Sequence, residues 1–297
     1  MASVGSVGRL AGGMGSQPLV GAVDTHVHTA PDVVVRAVDD RELVVAAAGA
    51  GMRAVVLKNH FQCTAARARL VGVVEPGLAV IGCLVLNGAC GGLNVEAVRV
   101  TLDLGGRVIS MPTVSATNHL EYVHRSRSNL GGLGQYAGRP VAVVRGDGSL
   151  EDAVLPIFDL IAASDAVLAT GHLSWQEAAI VATEAIGRGV TRVVVTHPES
   201  PIVDMPAATQ RSLARLGVQF ERCYRCLLEG WSAAALLSRI REVGVDSTIL
   251  ATDMGQASAG NPVDAYADFA ATLLRAGLSD EEWQRASGGN ATSLLKL

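Results

Sequence analysis

At 297 residues, 49% of them hydrophobic and 18% charged, the chain has the make-up of a globular protein with a sizeable core, which excludes disorder. A net charge of −4 leaves no basic footprint for nucleic acid, and no apolar run reaches the roughly eighteen residues of a membrane span. The N-terminal stretch has no basic region leading into an apolar one, so no secretory signal is expected. The five cysteines are scattered and odd in number, which fits reduced thiols in a cytoplasm.

Residues 1–17 are rich in glycine and serine and read as a flexible tail, leaving 18–297 as one domain. An apolar approach from Pro18 to Val23 then enters Asp24-Thr25-His26-Val27-His28, and Pro31 stops any regular element. Residues two apart in a strand share a face, so His26 and His28 project together, as ligands of one metal ion would. A helix opens at Asp39–Glu42 and ends near Gly49 and Gly51. Strand, helix, strand then recur: strands over 53–57, 78–86, 107–111, 166–170, 192–196, 218–221 and 248–252, with helices between them. Ser174-Trp175-Gln176-Glu177 and Ser279-Asp280-Glu281-Glu282 are capping boxes.

One stretch breaks the rhythm. Thr113 to Pro140 is polar and glycine-rich and carries His119 and His124, and it reads as an irregular loop insertion after the fourth strand, of the lid or binding-loop kind. A short extra strand is expected at 141–144. Cys223-Tyr224-Arg225-Cys226 is a lone CxxC without a second pair, read as small residues near a strand end.

Eight strands each followed by a helix predict an α/β fold, a (β/α)8 TIM barrel, whose catalytic groups sit on the C-terminal ends of the strands. His26 and His28 end strand one, Lys58 and His60 strand two, His172 strand five, His197 strand six and Asp253 strand eight. All seven histidines fall outside the expected helices. Five histidines and an aspartate at one mouth point to a metal site. Lys58 is one of only two lysines among 24 basic residues, so its amine is expected to be there for its chemistry.

These residues carry a resemblance. His26-Val27-His28, Gly171-His172, Thr196-His197-Pro198, Thr252-Asp253 and the terminal Asn290–Leu295 stretch resemble the amidohydrolase superfamily of metal-dependent hydrolases over about residues 18–297. The resemblance implies that His26, His28, His172, His197 and Asp253 hold one or two divalent ions, zinc first, with manganese and iron also compatible. It departs in strand four, which ends Ile109-Ser110-Met111-Pro112-Thr113 without the carboxylated lysine or glutamate of many binuclear members. That favours a mononuclear site, with Lys58 either a bridging carbamate or an ammonium facing substrate.

The mechanism expected is a metal-activated water cleaving a C–N bond in a small amide or cyclic amide. Asp253 accepts and returns the proton, and Lys58, His60 or His197 stabilises the oxyanion. His60, His119 and Glu221 are assigned to substrate. Alternatives are a decarboxylase resembling the aminocarboxymuconate-semialdehyde family, an ester or phosphoester hydrolase, and a binding protein without activity. Phosphate is disfavoured because the arginines nearest to strand ends are Arg145 and Arg222. The expected partner is a small-molecule substrate, with no nucleic acid or membrane, and barrels of this kind often form homo-oligomers.

Overall fold

A computed structural model describes residues 17–127 and 130–297; residues 1–16 of the expected tail, and Ser128-Asn129, lie outside them. Eight strands, β1 (Val23–Val27), β2 (Ala54–Leu57), β3 (Ala79–Val85), β4 (Val108–Ser110), β5 (Val167–Ala169), β6 (Val193–Thr196), β7 (Gln219–Cys223) and β8 (Thr248–Ala251), pair in parallel in chain order. The helices are α1 (Asp40–Gly49), α2 (Ala65–Val71), α3 (Val95–Asp103), α4 (Thr117–Ser126), α5 (Val154–Ala163), α6 (Trp175–Gly187), α7 (Ala207–Ala214), α8 (Arg225–Leu228), α9 (Ala233–Val243), α10 (Pro262–Arg275), α11 (Asp280–Gln284) and α12 (Asn290–Leu295). The fold is the expected (β/α)8 barrel.

The strands are near-continuous runs of valine, isoleucine and alanine because both faces are buried, one by the barrel interior and one by helices. Val23, Val56, Ile81, Val85, Val167 and Ile249 fill the interior, as branched side chains do in such barrels. Leu294 and Leu295 of α12 plug the N-terminal end. Asn290 Nδ2 donates to the carbonyls of Val245 and Thr248 at the base of β8. The terminal Asn290–Leu295 stretch is therefore an anchor at the floor of the barrel, away from the mouth. Both expected capping boxes form, and Asp39 with Glu42 makes a third.

The insertion after β4 is more ordered than its composition suggests. It contains α4 and a 3-10 run, Leu130–Tyr136. Its base is pinned where Ala116 bridges Val141 and the Val141 N–H donates to Ser115 O at 2.8 Å. The expected strand at 141–144 is reduced to isolated bridges, Ala116–Val141 and Val144–Leu150. A helix was missed here because α4 turns polar residues inward, with His119 its one buried residue. Its residues are mostly polar, so by composition the segment reads as loop.

β1 and β8 close the ring at the mouth. The Asp253 N–H donates to His26 O (2.8 Å) and the His28 N–H to Met254 O (2.9 Å). Asp24 stitches the same seam: Oδ1 accepts from the N–H groups of His26 (3.1 Å) and Thr252 (3.0 Å), and Oδ2 from the Thr252 hydroxyl (2.6 Å). Burial raises its carboxyl to about 7, against the pull of those three donors. Asp24→Ala strands two buried N–H groups and is expected to cost about 3 kcal/mol in urea unfolding, whereas Asp24→Asn keeps an acceptor for both and is expected to cost less than half as much.

Candidate metal centre and active site

The strand ends open into a cavity of about 580 Å³ whose wall includes His28, His60, His119, His172, His197 and Asp253. Side-chain direction at the first strand depends on a bulge. β1 and β2 pair Val23 with Ala54 and Asp24 with Val55, then slip so that Val27 meets Leu57. The extra residue turns two successive side chains, Thr25 and His26, to the same side, and both reach Glu221. His28 then follows His26 into the site by the ordinary two-residue period.

Three ligand atoms converge. His26 Nε2 lies 3.2 Å and His28 Nε2 3.1 Å from Asp253 Oδ1. Two ligands on one tetrahedral ion with bonds of about 2.1 Å stand about 3.4 Å apart, so these separations fit a shared cation. The protonation chemistry fits as well. Glu221 Oε2 takes the Nδ1 proton of His26 at 2.9 Å, with Oε1 held by Thr25 at 2.6 Å. Burial alone would raise the Glu221 carboxyl, but Lys58, His26 and these hydrogen bonds bring it down to about 2. Burial, reinforced by Lys58, lowers His26, so the ring carries one proton and gives it to Glu221. With the proton on Nδ1, its Nε2 lone pair faces the lone pairs of Asp253, a repulsion that a bound cation would relieve. A carboxylate behind a ligating imidazole is how metal sites fix the tautomer. A second cluster, His26 with His197 and Cys223, competes poorly. Cys223 Sγ lies 4.0 Å from His26 Nδ1, the nitrogen already held by Glu221, and burial pushes its thiol well above the usual range, against the thiolate a metal needs.

His197 and His172 form the next ring outward. His197 Nε2 is 3.6 Å from the other oxygen, Asp253 Oδ2, and its ring centroid is 4.9 Å from that of His26. His172 lies beyond, 5.6 Å from the His197 ring and 6.3 Å from the His60 ring. Helix α4 sets its orientation: His119 Nδ1 meets His172 Nδ1 at 2.7 Å, and Asn118 Nδ2 donates to the His172 carbonyl at 3.1 Å. Burial takes His119 and His197 down to about 4 and His172 well below the usual imidazole range. His197 (φ 52°) and Asp253 (φ 53°) adopt left-handed backbone, a strained state typical of functional positions. Gly171 makes the tight approach to His172: at φ 61°, a Cβ would overlap the carbonyl oxygens of Met111 and Pro112.

His60 has its own support. Asn87 Oδ1 accepts the N–H groups of Thr113 (2.8 Å) and Ser115 (3.1 Å), which fixes its amide, and Nδ2 donates to Thr113 Oγ1 at 2.7 Å. The Thr113 hydroxyl is then left to donate to His60 Nδ1, 2.8 Å away. His60, held neutral by burial, keeps its proton on Nε2. A neutral imidazole presenting N–H is a hydrogen-bond donor for a substrate oxygen.

Two expected substrate contacts sit elsewhere. Glu221 does not line the cavity; it lies behind His26 as the ring's orienting base. Lys58 Nζ is also set back, 3.3 Å from His26 Nδ1 and 3.7 Å from Glu221 Oε2, so the bulge-driven approach of His26 places both groups behind it. Arg222 is wholly buried against Glu199 and Gln210, and Arg145 pairs with Glu151 and Asp152 at the surface. Two other arginines, Arg36 and Arg225, line the cavity, together with Cys223. Sequence reasoning missed Arg36 because it lies eight positions beyond His28 in a loop folded back by an Arg36–Gln256 bridge. Arg225 stood inside the CxxC that was read as structural.

A search of curated proteins gives no match. Among solved structures, an amidohydrolase from Pseudomonas aeruginosa superposes with a TM-score of 0.64 at 13% identity, covering 95% of this chain and 97% of that one. An amidohydrolase from Burkholderia multivorans with bound zinc gives 0.56 at 13% identity, covering 93% and 99%. A dihydroxybenzoic acid decarboxylase from Polaromonas sp. JS666, with bound manganese and 2-nitroresorcinol, gives 0.55 at 14% identity, covering 94% and 97%. At such identities the likeness establishes the barrel these proteins share. Residues 21–221 match the model of a family of unknown function, DUF6282, and the chain belongs to that family.

Proposed function

We propose that this chain is a metal-dependent hydrolase that cleaves the C–N bond of a small amide or cyclic amide. The convergence of His26 Nε2, His28 Nε2 and Asp253 Oδ1, with His26 tautomer-locked by Glu221, carries the reading. Barrel relatives with bound zinc or manganese support it. His26, His28 and Asp253 would hold the ion, with His197 and His172 completing the set, and zinc is the first candidate. When bound, such an ion acidifies a water and polarises a carbonyl. The five cysteines are all free thiols, which supports a reducing cytoplasm as the location.

The chain's own groups then have distinct tasks. Asp253 Oδ2 faces the cavity and accepts the water's proton. Burial opposes its charge, but His26, His197 and His28 together hold the carboxyl well below its usual range, so at neutral pH it is ionised and has a lone pair free for a proton. The same oxygen returns the proton to the leaving nitrogen. His60 Nε2–H donates to the developing oxyanion. His119 holds His172 through the Nδ1 pair and adds to the cavity wall. Lys58 acts at one remove: it keeps Glu221 charged, and Glu221 keeps the His26 proton on Nδ1.

Elemental analysis of purified protein is expected to find about one divalent ion per chain, and Glu221→Gln to weaken its retention against a chelator by about 10- to 100-fold. Asp253→Asn, assayed at saturating metal, is expected to lower kcat by at least about 100-fold; unchanged turnover with metal bound would remove Asp253 from the proton path. Thr113→Val frees His60 to shift its proton. It is expected to lower kcat by about 100-fold and to change the His60 ring 15N spectrum, which a purely structural role would leave alone.

A further inference from the structure

Arg225 opens α8 directly after β7, and its guanidinium reaches back to the candidate metal centre. Its Nε lies 3.2 Å from Glu229 Oε1 and 3.8 Å from Asp253 Oδ2. Both contacts are made by Nε. Among the described residues, the two terminal nitrogens form no hydrogen bond, and the side chain is 35% exposed on the cavity wall. The other cations near the site are committed. Lys58 serves Glu221, Arg222 is closed around Glu199 and Gln210, and Arg36 is ion-paired with Asp32, to which its Nε donates at 2.7 Å; its Nη2 makes no hydrogen bond, but the side chain is only 3% exposed, against 35% for Arg225.

We propose that the terminal fork of Arg225 binds a carboxylate on the substrate, and that the substrate is a small monocarboxylate whose acid group lies within a few bonds of the reacting carbon. This rests on the hydrolase reading only for which bond breaks. A planar guanidinium edge with two parallel N–H donors matches a carboxylate. Its closeness to Asp253 sets the short spacing. Charge favours a monoanion: with Glu199 neutralised by Arg222, Glu229 and Asp253 still border the cavity beside Arg225, so a phosphate dianion meets one more unit of repulsion from them than a carboxylate does. Val114, Leu133 and Ile202 line the remaining wall and suit an apolar body on the same molecule.

The test is calorimetric titration of the zinc-loaded protein with paired probes: N-acetyl-L-leucine against its methyl ester, and benzoate against benzamide and phenyl phosphate. The acids are expected to bind at least about tenfold more tightly than their neutral partners and than phenyl phosphate. Arg225→Met should erase that preference, and Arg225→Lys, which keeps the charge but loses the fork, should restore part of it. Both variants should keep the wild-type melting temperature and metal content. Equal binding of acid and ester, a preference that survives in Arg225→Met, tighter binding of phenyl phosphate, or no acid binding by about 10 mM would each overturn the proposal. Binding is read without turnover. If the acid preference tracks Arg225 while carboxylate substrates release CO2 and no amine, the C–N reading fails and this one stands.

Discussion

The seam between β1 and β8 does two jobs with one set of bonds. The hydrogen bonds that close the barrel, Asp253 N–H to His26 O and His28 N–H to Met254 O, join the same residues whose side chains converge on the candidate ion. Closing the sheet therefore assembles the centre, and anything that opens the seam separates His26 and His28 from Asp253. Gly255 shows how little slack exists: at φ 128°, a Cβ there would overlap the His28 carbonyl oxygen. A strand end with larger spacing would leave the aspartate outside the reach of a shared ligand bond.

Protonation follows from that closeness. Burial lowers every imidazole at the mouth, so the ring nitrogens are neutral donors or acceptors according to what stands behind them. Glu221 behind His26 and Thr113 behind His60 impose opposite tautomers. His26 turns a lone pair inward, which suits a cation; His60 turns an N–H inward, which suits an oxygen. Identical side chains acquire different chemistry from their second partners.

Much of this was legible in the sequence because the barrel rule converts a strand end into a place. Once eight strands were counted, His26, His28, His60, His172, His197 and Asp253 had to share a mouth. Depth and direction were not legible. Lys58 and Glu221 sit at strand ends too, yet a one-residue bulge in β1 brings His26 in front of both. No residue type in Asp24–Val27 announces that slip. His119 was named from the sequence, but the helix that carries it was not: α4 is mostly polar, and its one buried residue is a histidine set against His172. Arg36 comes from a loop whose path depends on its bridge to Gln256, and Arg225 from the one-turn helix α8 after β7; local pattern encodes neither placement.

The charges around the cavity explain why an ion and an anionic substrate would act together. Lys58 with Glu221, Arg222 with Glu199, and Arg36 with Asp32 are paired within the wall. That leaves Asp253 and Glu229 facing Arg225 alone, so without a cation the mouth carries an excess of negative charge and repels a carboxylate. A divalent ion at His26, His28 and Asp253 would reverse the sign and would release Arg225 from compensating Asp253 to offer its fork outward. Each binding event would thus favour the other, and because linkage is reciprocal, a bound carboxylate would tighten the hold on the metal by the same factor. In a cavity lined with buried, neutral histidines, this coupling would be stronger than the same charges would show at a water-exposed surface.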